Sequence, residues 1–184
     1  MGADIQMKLD QSGKLIGARF IASPNFDPRP PGTAIDLLVI HNISLPPGEF
    51  GGDDVIALFT NRLNPAAHPD YKIIAALKVS AHFFIRRDGE IIQFVACEQR
   101  AWHAGISVFA GRERCNDFSI GVELEGSDDL PYRAAQYAAL DALTRALRRV
   151  YPLDDIAGHA DIAPGRKTDP GAYFDWGRYY ATLL

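Results

Sequence analysis

Residue types capable of hydrolytic chemistry gather in the stretch GHADIAPGRKTDPG, Gly158 to Gly171, where a histidine, two aspartates, an arginine and a lysine sit among glycines and prolines. A phosphate-binding loop needs four residues between its first glycine and a Gly-Lys-Ser/Thr tail, so that successive backbone N–H groups curl around the phosphates. Here six residues separate Gly158 from Gly165, and Arg166 splits Gly165 from Lys167, which excludes that chemistry on spacing. A metal site is the other reading. His159 opens the stretch, and Asp169 precedes Pro170, whose ring restricts the preceding backbone and holds the carboxylate at a fixed angle. A second histidine, His41, ends the most apolar strand of the chain, where a side chain can point from a sheet rim into a cleft. Two imidazoles and one carboxylate form the ligand set of a catalytic zinc with a fourth position left for water. Each residue also has an ordinary explanation: a core histidine satisfied by a carbonyl, a solvated loop histidine, a plain Asp-Pro turn. The long separations mean that spacing alone does not bring the three together.

The elements that must position them are legible in outline. AIDLLVIHNI (34–43) is an apolar, β-branched-rich run bounded by proline and glycine clusters, which predicts a buried central strand. DDVIALFTNRL offers Asp53 and Asp54 as caps and puts Val55, Ile56 and Phe59 on one helical face. AHFFIRRDGEIIQFV reads as a hairpin about Asp88-Gly89, with positive φ tolerated at both central turn positions. In DFSIGVELEG, Phe118, Ile120, Val122 and Leu124 share one strand face, whereas Ser119, Gly121, Glu123 and Glu125 make the other face acidic. Tyr137, Leu140, Leu143, Leu147 and Val150 recur at helical spacing between about Tyr132 and Tyr151, a helix roughly 30 Å long. FDWGRYYATLL closes the chain as a further helix weakened by Gly177. The expected class is α/β: one domain over residues 1–184, a central mixed β-sheet flanked by α-helices.

Composition narrows the partners. With 184 residues, 47% of them hydrophobic and 23% charged, the chain is long enough for one good core. A net charge of −4 argues against nucleic acid or an anionic membrane as the main partner. Cys97 and Cys115 form neither a disulfide framework nor a CxxC pattern, and the first twenty residues lack an apolar run long enough for a signal peptide. No later run approaches a membrane span. The expectation is a cytoplasmic, monomeric protein.

Five motifs carry a family resemblance: HNISLPPGEFGG, VSAHFFIRRDGEIIQFV, RAWHAG, GRERCNDFSIGVELEG and GHADIAPGRKTDPG. In this order they closely resemble the AmpD-type N-acetylmuramoyl-L-alanine amidases, relatives of phage T7 lysozyme and the peptidoglycan recognition proteins. The likeness runs from about Pro24 to Trp176. It implies a zinc enzyme, one ion per chain, that hydrolyses the amide between the lactyl group of a muramic acid and L-alanine. The family's metal ligands fall on His41, His159 and Asp169, its catalytic glutamate on Glu123 and its catalytic lysine on Lys167. Asn42, Lys78, Ala101 and Arg114 are implied to approach the substrate; with the ligand set complete without it, His103 is expected to line or support the pocket. Relatives often carry arginine at Lys78, so a bidentate grip on a carboxylate there becomes a point-charge contact.

Elementary chemistry agrees with those roles. Amide hydrolysis is slow because hydroxide is scarce at neutral pH and the tetrahedral intermediate carries an oxyanion. Zinc lowers the pKa of its water towards about 7, Glu123 would take a proton from the water and pass it to the leaving amine, and Lys167 would stabilise the oxyanion. Glu125 shares Glu123's face and competes for the role of base; the family likeness, not the alternation, selects Glu123. A cytoplasmic location implies a small soluble substrate, the resemblance implies the 1,6-anhydro-N-acetylmuramyl peptides of peptidoglycan recycling, and Lys78, Arg114, Lys167 and the zinc would focus the cationic field that draws their carboxylates. The alternatives are an amidase of intact cell wall, a peptidoglycan-binding module without catalysis, and a metal-free hydrolase using Cys97 or Cys115 as nucleophile.

Overall fold

A computed structural model describes residues 7–183. The strands are β1 (Arg19–Phe20), β2 (Phe26–Pro28), β3 (Leu37–Ile43), β4 (Phe83–Ile85), β5 (Ile91–Gln93), β6 (Gln99–Ala101), β7 (Val108–Phe109), β8 (Arg112–Glu113), β9 (Ser119–Glu125) and β10 (Asp155–Gly158). The helices are α1 (Asp54–Phe59), α2 (Tyr71–Ile74), α3 (Ala134–Arg148), α4 (His159–Ile162) and α5 (Trp176–Leu183), with a 3₁₀ turn at Cys115–Asp117. Six strands form one sheet in the order β1-β5-β4-β9-β3-β10. Only the β4–β5 pair is antiparallel, so the sheet is mixed. Two short ribbons, β2–β6 and β7–β8, lie outside it.

The long central strands β3 and β9 are covered on both faces, which is why β3 reads as a continuous apolar run rather than an alternation. One face carries Leu38, Ile40, Ile120, Val122 and Leu124 and packs against Tyr137, Leu140, Leu143 and Leu147 of α3 and Tyr179 of α5. The opposite face holds two separate apolar clusters. One joins Phe84, Ile92 and Phe94 to Val55, Ile56 and Phe59 of α1; the other joins Leu37 and Val39 to Phe118 and Ile162. Each fully buried Leu, Ile or Phe contributes about 1.5–3 kcal/mol, whereas an exposed ion pair contributes about 0–1 kcal/mol. The three clusters therefore set the rigidity of the sheet. Between the two clusters of the second face runs a strip of buried polar side chains: His41, His82, His103, Ser119 and Glu123.

Several local expectations are corrected. β3 continues to Ile43, so His41 lies two residues inside its end. Asp53 occupies the N-cap position of α1 but makes no capping bond; its carboxylate accepts from Arg86 Nη2 at 2.7 Å, and that of Asp54 accepts from the Tyr71 hydroxyl at 2.7 Å. In the β4–β5 hairpin only Gly89 has positive φ, at 93°. Gly89 N–H donates to Arg86 C=O, and Arg86 N–H to Glu90 C=O, the pattern of a longer loop ending in a left-handed glycine. The second face of β9 is acidic as expected, yet it is buried along its whole length. α3 has 15 residues, about 22 Å, because Gln136 Oε1 accepts Arg133 N–H at its start and Pro152 excludes helix just beyond its end. Val150 consequently lies outside the helix and is 53% exposed. In α5, Gly177 falls in the first turn, where Asp175 accepts the Arg178 N–H at 2.9 Å and caps the helix.

Candidate active site

The sheet register builds the site. His41 of β3 pairs with Glu123 of β9, and Glu123 with Phe84 of β4, so the three side chains form one row on the second face. β10 lies parallel to β3 on its other side with Gly158 opposite Ile40, and the next residue, His159, opens α4 beside His41. Gly158 permits this turn because a Cβ there would stand 2.8 Å from the Pro170 ring. The ring's neighbour Asp169 is thereby brought against the strand end. Ala160 N–H donates to Asp169 C=O at 2.9 Å, and the Tyr132 hydroxyl to Pro170 C=O at 2.8 Å, which pin the loop that carries the carboxylate.

The three side chains thus meet although the first and last are 128 positions apart in sequence. His41 Nδ1, His159 Nδ1 and Asp169 Oδ2 lie 2.9–3.1 Å from one another. His159 Nε2 lies 3.0 Å from the Ala104 carbonyl, which also accepts Arg166 Nη2 at 2.7 Å. A carbonyl only accepts, so His159 Nε2 donates to it and Nδ1 is the nitrogen turned to the triangle. Burial pushes His41 down to about 4 against the pull of Asp169, and the imidazole is neutral at pH 7. Burial works to raise the Asp169 carboxyl, but the His159 and His41 imidazoles beside it outweigh that effect and hold the group well below the usual carboxylate range. Two imidazole nitrogens and a carboxylate oxygen converging on one point, with no cationic side chain between them, are a donor set for a divalent ion. Two nitrogen ligands and one oxygen ligand are a set that suits zinc.

Glu123 adds an acid–base group. Its carboxylate is buried, and Oε2 has no hydrogen-bond partner among the described residues. Burial raises the carboxyl well above its ordinary value, with Asp169 adding to the effect and Lys167 opposing it. Glu123, His159, Lys167 and Asp169 line a common compartment of about 250 Å³ whose remaining wall includes Leu58, Phe59 and Trp102. Glu125 is in a different situation: its carboxylate accepts Gly51 N–H at 2.6 Å and Arg87 N–H at 2.8 Å. Those bonds tie it to the loop after β3 and to the hairpin.

The remaining sequence candidates divide. Lys167 is exposed on the rim and borders both the small compartment and a neighbouring open cleft of about 700 Å³. Asn42 lines the same cleft, its amide donating to Asp128 Oδ1 at 2.8 Å. Lys78 and Arg114 are exposed but do not line either space; Arg114 ion-pairs with Asp117 at 3.3 Å. Ala101 is fully buried beside the α1 cluster and offers no side-chain surface to a ligand. His103 is buried beside His41, its Nδ1 2.9 Å from His41 Nε2, and it also borders the small compartment. The cationic field expected at Lys78, Arg114 and Lys167 reduces at the cleft to Lys167 and Arg166, opposed by Asp128 and Asp129. Arg166 carries no motif signal for its role: its Nη2 ties the Ala104 and Ile106 carbonyls to the loop that leads to Asp169, at 2.7 and 2.6 Å. His82 is structural, with Nδ1 accepting Gly121 N–H and Nε2 beside Gln99 C=O. The two thiols are buried, and burial pushes both upward, so neither is an activated nucleophile.

The family profile described as N-acetylmuramoyl-L-alanine amidase matches residues 31–172, which contain every residue of the triangle and Glu123. The chain belongs to this family. It is 59% identical over 175 residues to the 1,6-anhydro-N-acetylmuramyl-L-alanine amidase AmpD of Escherichia coli (strain K12), covering 94% of this chain and 95% of the relative. A crystal structure of a selenomethionine derivative of AmpD superposes with a TM-score of 0.94 at 57% identity, covering 97% of this chain and all of the other. At greater distance, the E. coli amidase AmiD, solved with anhydro-N-acetylmuramic acid-L-Ala-D-γ-Glu-L-Lys, aligns with a TM-score of 0.60 at 26% identity, over 97% of this chain and 66% of that one. The amidase fold, with a mixed sheet and flanking helices, is thus common to this chain and its relatives.

Proposed function

We propose that the protein is a zinc-dependent amidase that cleaves the bond between 1,6-anhydro-N-acetylmuramic acid and L-alanine in small soluble muropeptides, as a step of peptidoglycan recycling in the cytoplasm. The observation that carries this reading is the convergence of His41, His159 and Asp169 beside a buried carboxylate, Glu123, that has an oxygen free of protein partners. Similarity to AmpD over nearly the full length supports the substrate, and the muropeptide held by AmiD supports a small-molecule partner. His41, His159 and Asp169 would hold the ion, which supplies acidification of water and polarisation of the scissile carbonyl.

The chain's own groups do the rest. Glu123 accepts a proton from the attacking water and delivers it to the leaving nitrogen of L-alanine, so that the amine departs neutral. Its burial suits this role, because a carboxylate in a water-poor site holds a proton more readily than one in solvent. Lys167 on the rim presents a compact positive charge to the oxyanion that forms on the carbonyl. Leu58, Phe59 and Trp102 keep bulk water from the acid–base group. The reading is tested by competition between anhydro-muropeptides and the corresponding reducing-sugar muropeptides, followed by mass spectrometry. A preference for the anhydro form is expected; equal specificity constants, or digestion of intact sacculi alone, would assign the protein to wall degradation.

A further inference from the structure

His41 turns Nδ1 toward His159 and Asp169, so its Nε2 points back into the protein, 2.9 Å from His103 Nδ1. Two neutral imidazoles at this distance share one proton-bearing nitrogen, and the separation alone leaves either ring free to be the donor. If His103 donates, the His41 proton moves to Nδ1 and occupies the lone pair a metal needs. If His41 donates, Nδ1 is open. The two arrangements have opposite consequences for the site, and a group farther inside the fold chooses between them.

That group is Ser119 at the start of β9. Its Oγ lies 2.6 Å from the Cys115 carbonyl and 3.2 Å from His103 Nε2. A carbonyl cannot donate, so the hydroxyl proton is directed to Cys115 and the oxygen is left to accept His103 Nε2–H. A neutral His103 protonated at Nε2 has only a lone pair at Nδ1, which accepts His41 Nε2–H. His41 Nδ1 is then unprotonated and faces the triangle. Ser119, with no exposed surface, sits in the same strand as Glu123, so its hydroxyl is held by the sheet.

The fold makes space for this line and holds it independently of the serine. A Cβ on Gly121 would stand 2.5 Å from His103 Cγ, so glycine at this strand position is what admits the ring. Asn116 Oδ1 accepts the backbone N–H groups of His103 and Ala104 at 3.1 and 2.8 Å, fixing the loop that carries the ring. Loss of the Ser119 hydroxyl therefore removes the direction of the hydrogen bonds while leaving the ring anchored.

We propose that Ser119 and His103 are positioning residues that fix His41 in the tautomer able to bind the metal. His103 borders the small compartment, and on this account its effect on the metal runs through His41. The inference rests on the proposed reading of the triangle as a zinc site. Outer partners of metal-bound histidines commonly change metal affinity by about 10- to 100-fold, and Ser119→Ala should weaken zinc by that factor in competition with a chromophoric chelator. Ser119→Thr, which keeps the hydroxyl, should recover most of the loss. Imidazole ¹⁵N–¹H correlation spectra of the zinc-loaded wild-type protein supply a second readout, expected to show His103 protonated at Nε2 alone. His103 protonated at Nδ1, or zinc affinity unchanged in Ser119→Ala, would overturn the proposal. A wild-type chain that fails to bind zinc would instead overturn the reading of the triangle, and this inference with it.

Discussion

Replacing Glu123 by glutamine separates three quantities that a simple loss of activity would merge. The glutamine keeps the size and most of the hydrogen-bonding capacity of the side chain but cannot accept the proton of an attacking water. Turnover should fall by about 10²- to 10⁴-fold, the usual range for general acid–base catalysis. Zinc should remain bound, because Glu123 contributes no atom to the cluster of His41, His159 and Asp169. The metal-free protein should become more stable. In the wild type the carboxyl is buried and is raised above its ordinary 4.5, so ionising it in the folded protein is disfavoured, a penalty that the neutral glutamine amide does not carry. The sign of the pH dependence follows from proton binding. Between about pH 4.5 and the raised folded value, the folded state holds a proton that the unfolded chain has released, so wild-type stability falls as pH rises through that window. Glu123→Gln lacks this loss. Urea unfolding of both metal-free proteins from pH 4 to 8 should show a difference near zero at the acid end that grows in favour of the variant. A near-normal turnover, or a stability difference that does not change with pH, would refute the reasoning.

The other residues give sharper single outcomes. Asp169→Ala removes one of three ligands and should leave the protein folded but without stoichiometric zinc in elemental analysis, with activity lost in parallel. Lys167→Met keeps the length of the side chain and removes its charge; kcat should fall by about 10²- to 10³-fold while zinc content is unchanged, as measured by steady-state kinetics beside metal analysis. Thiol-blocking reagents applied to the native protein should leave turnover intact, because Cys97 and Cys115 are both buried and their thiols are raised.

How far the sequence alone reached depends on the range of the forces involved. β3 and β9 were legible because a strand covered on both faces, or alternating along its length, imprints its environment on consecutive residues. The triangle was legible through long motifs, and its assembly is explained by register: His41 and Glu123 share a row, and β10 delivers His159 beside them. What stayed hidden depends on partners far along the chain. Asp53 and Asp54 have the chemistry of caps, but Arg86 and Tyr71 take their carboxylates. Glu123 and Glu125 are equivalent by alternation; in the fold Glu123 lines the compartment beside the triangle, whereas Gly51 and Arg87 supply N–H groups to Glu125. The same holds for Ser119 and Arg166, whose roles arise from carbonyls that no local pattern announces. Lys78, Ala101 and Arg114 show the reverse case, in which a family likeness suggests ligand contact and the side chains lie away from the two spaces beside the triangle.

The central claim, that His41, His159 and Asp169 make this chain a zinc amidase of anhydro-muropeptides, is tested most directly by one digestion. A defined 1,6-anhydro-N-acetylmuramyl peptide is incubated with the protein as purified, after chelation, and after zinc is restored, and the products are weighed by mass spectrometry. The account predicts free anhydro-N-acetylmuramic acid and an intact peptide beginning with L-alanine, formed in proportion to bound zinc, absent after chelation and recovered on reloading. Full cleavage by the zinc-free protein, or scission at any bond other than the lactyl–alanine amide, would contradict it.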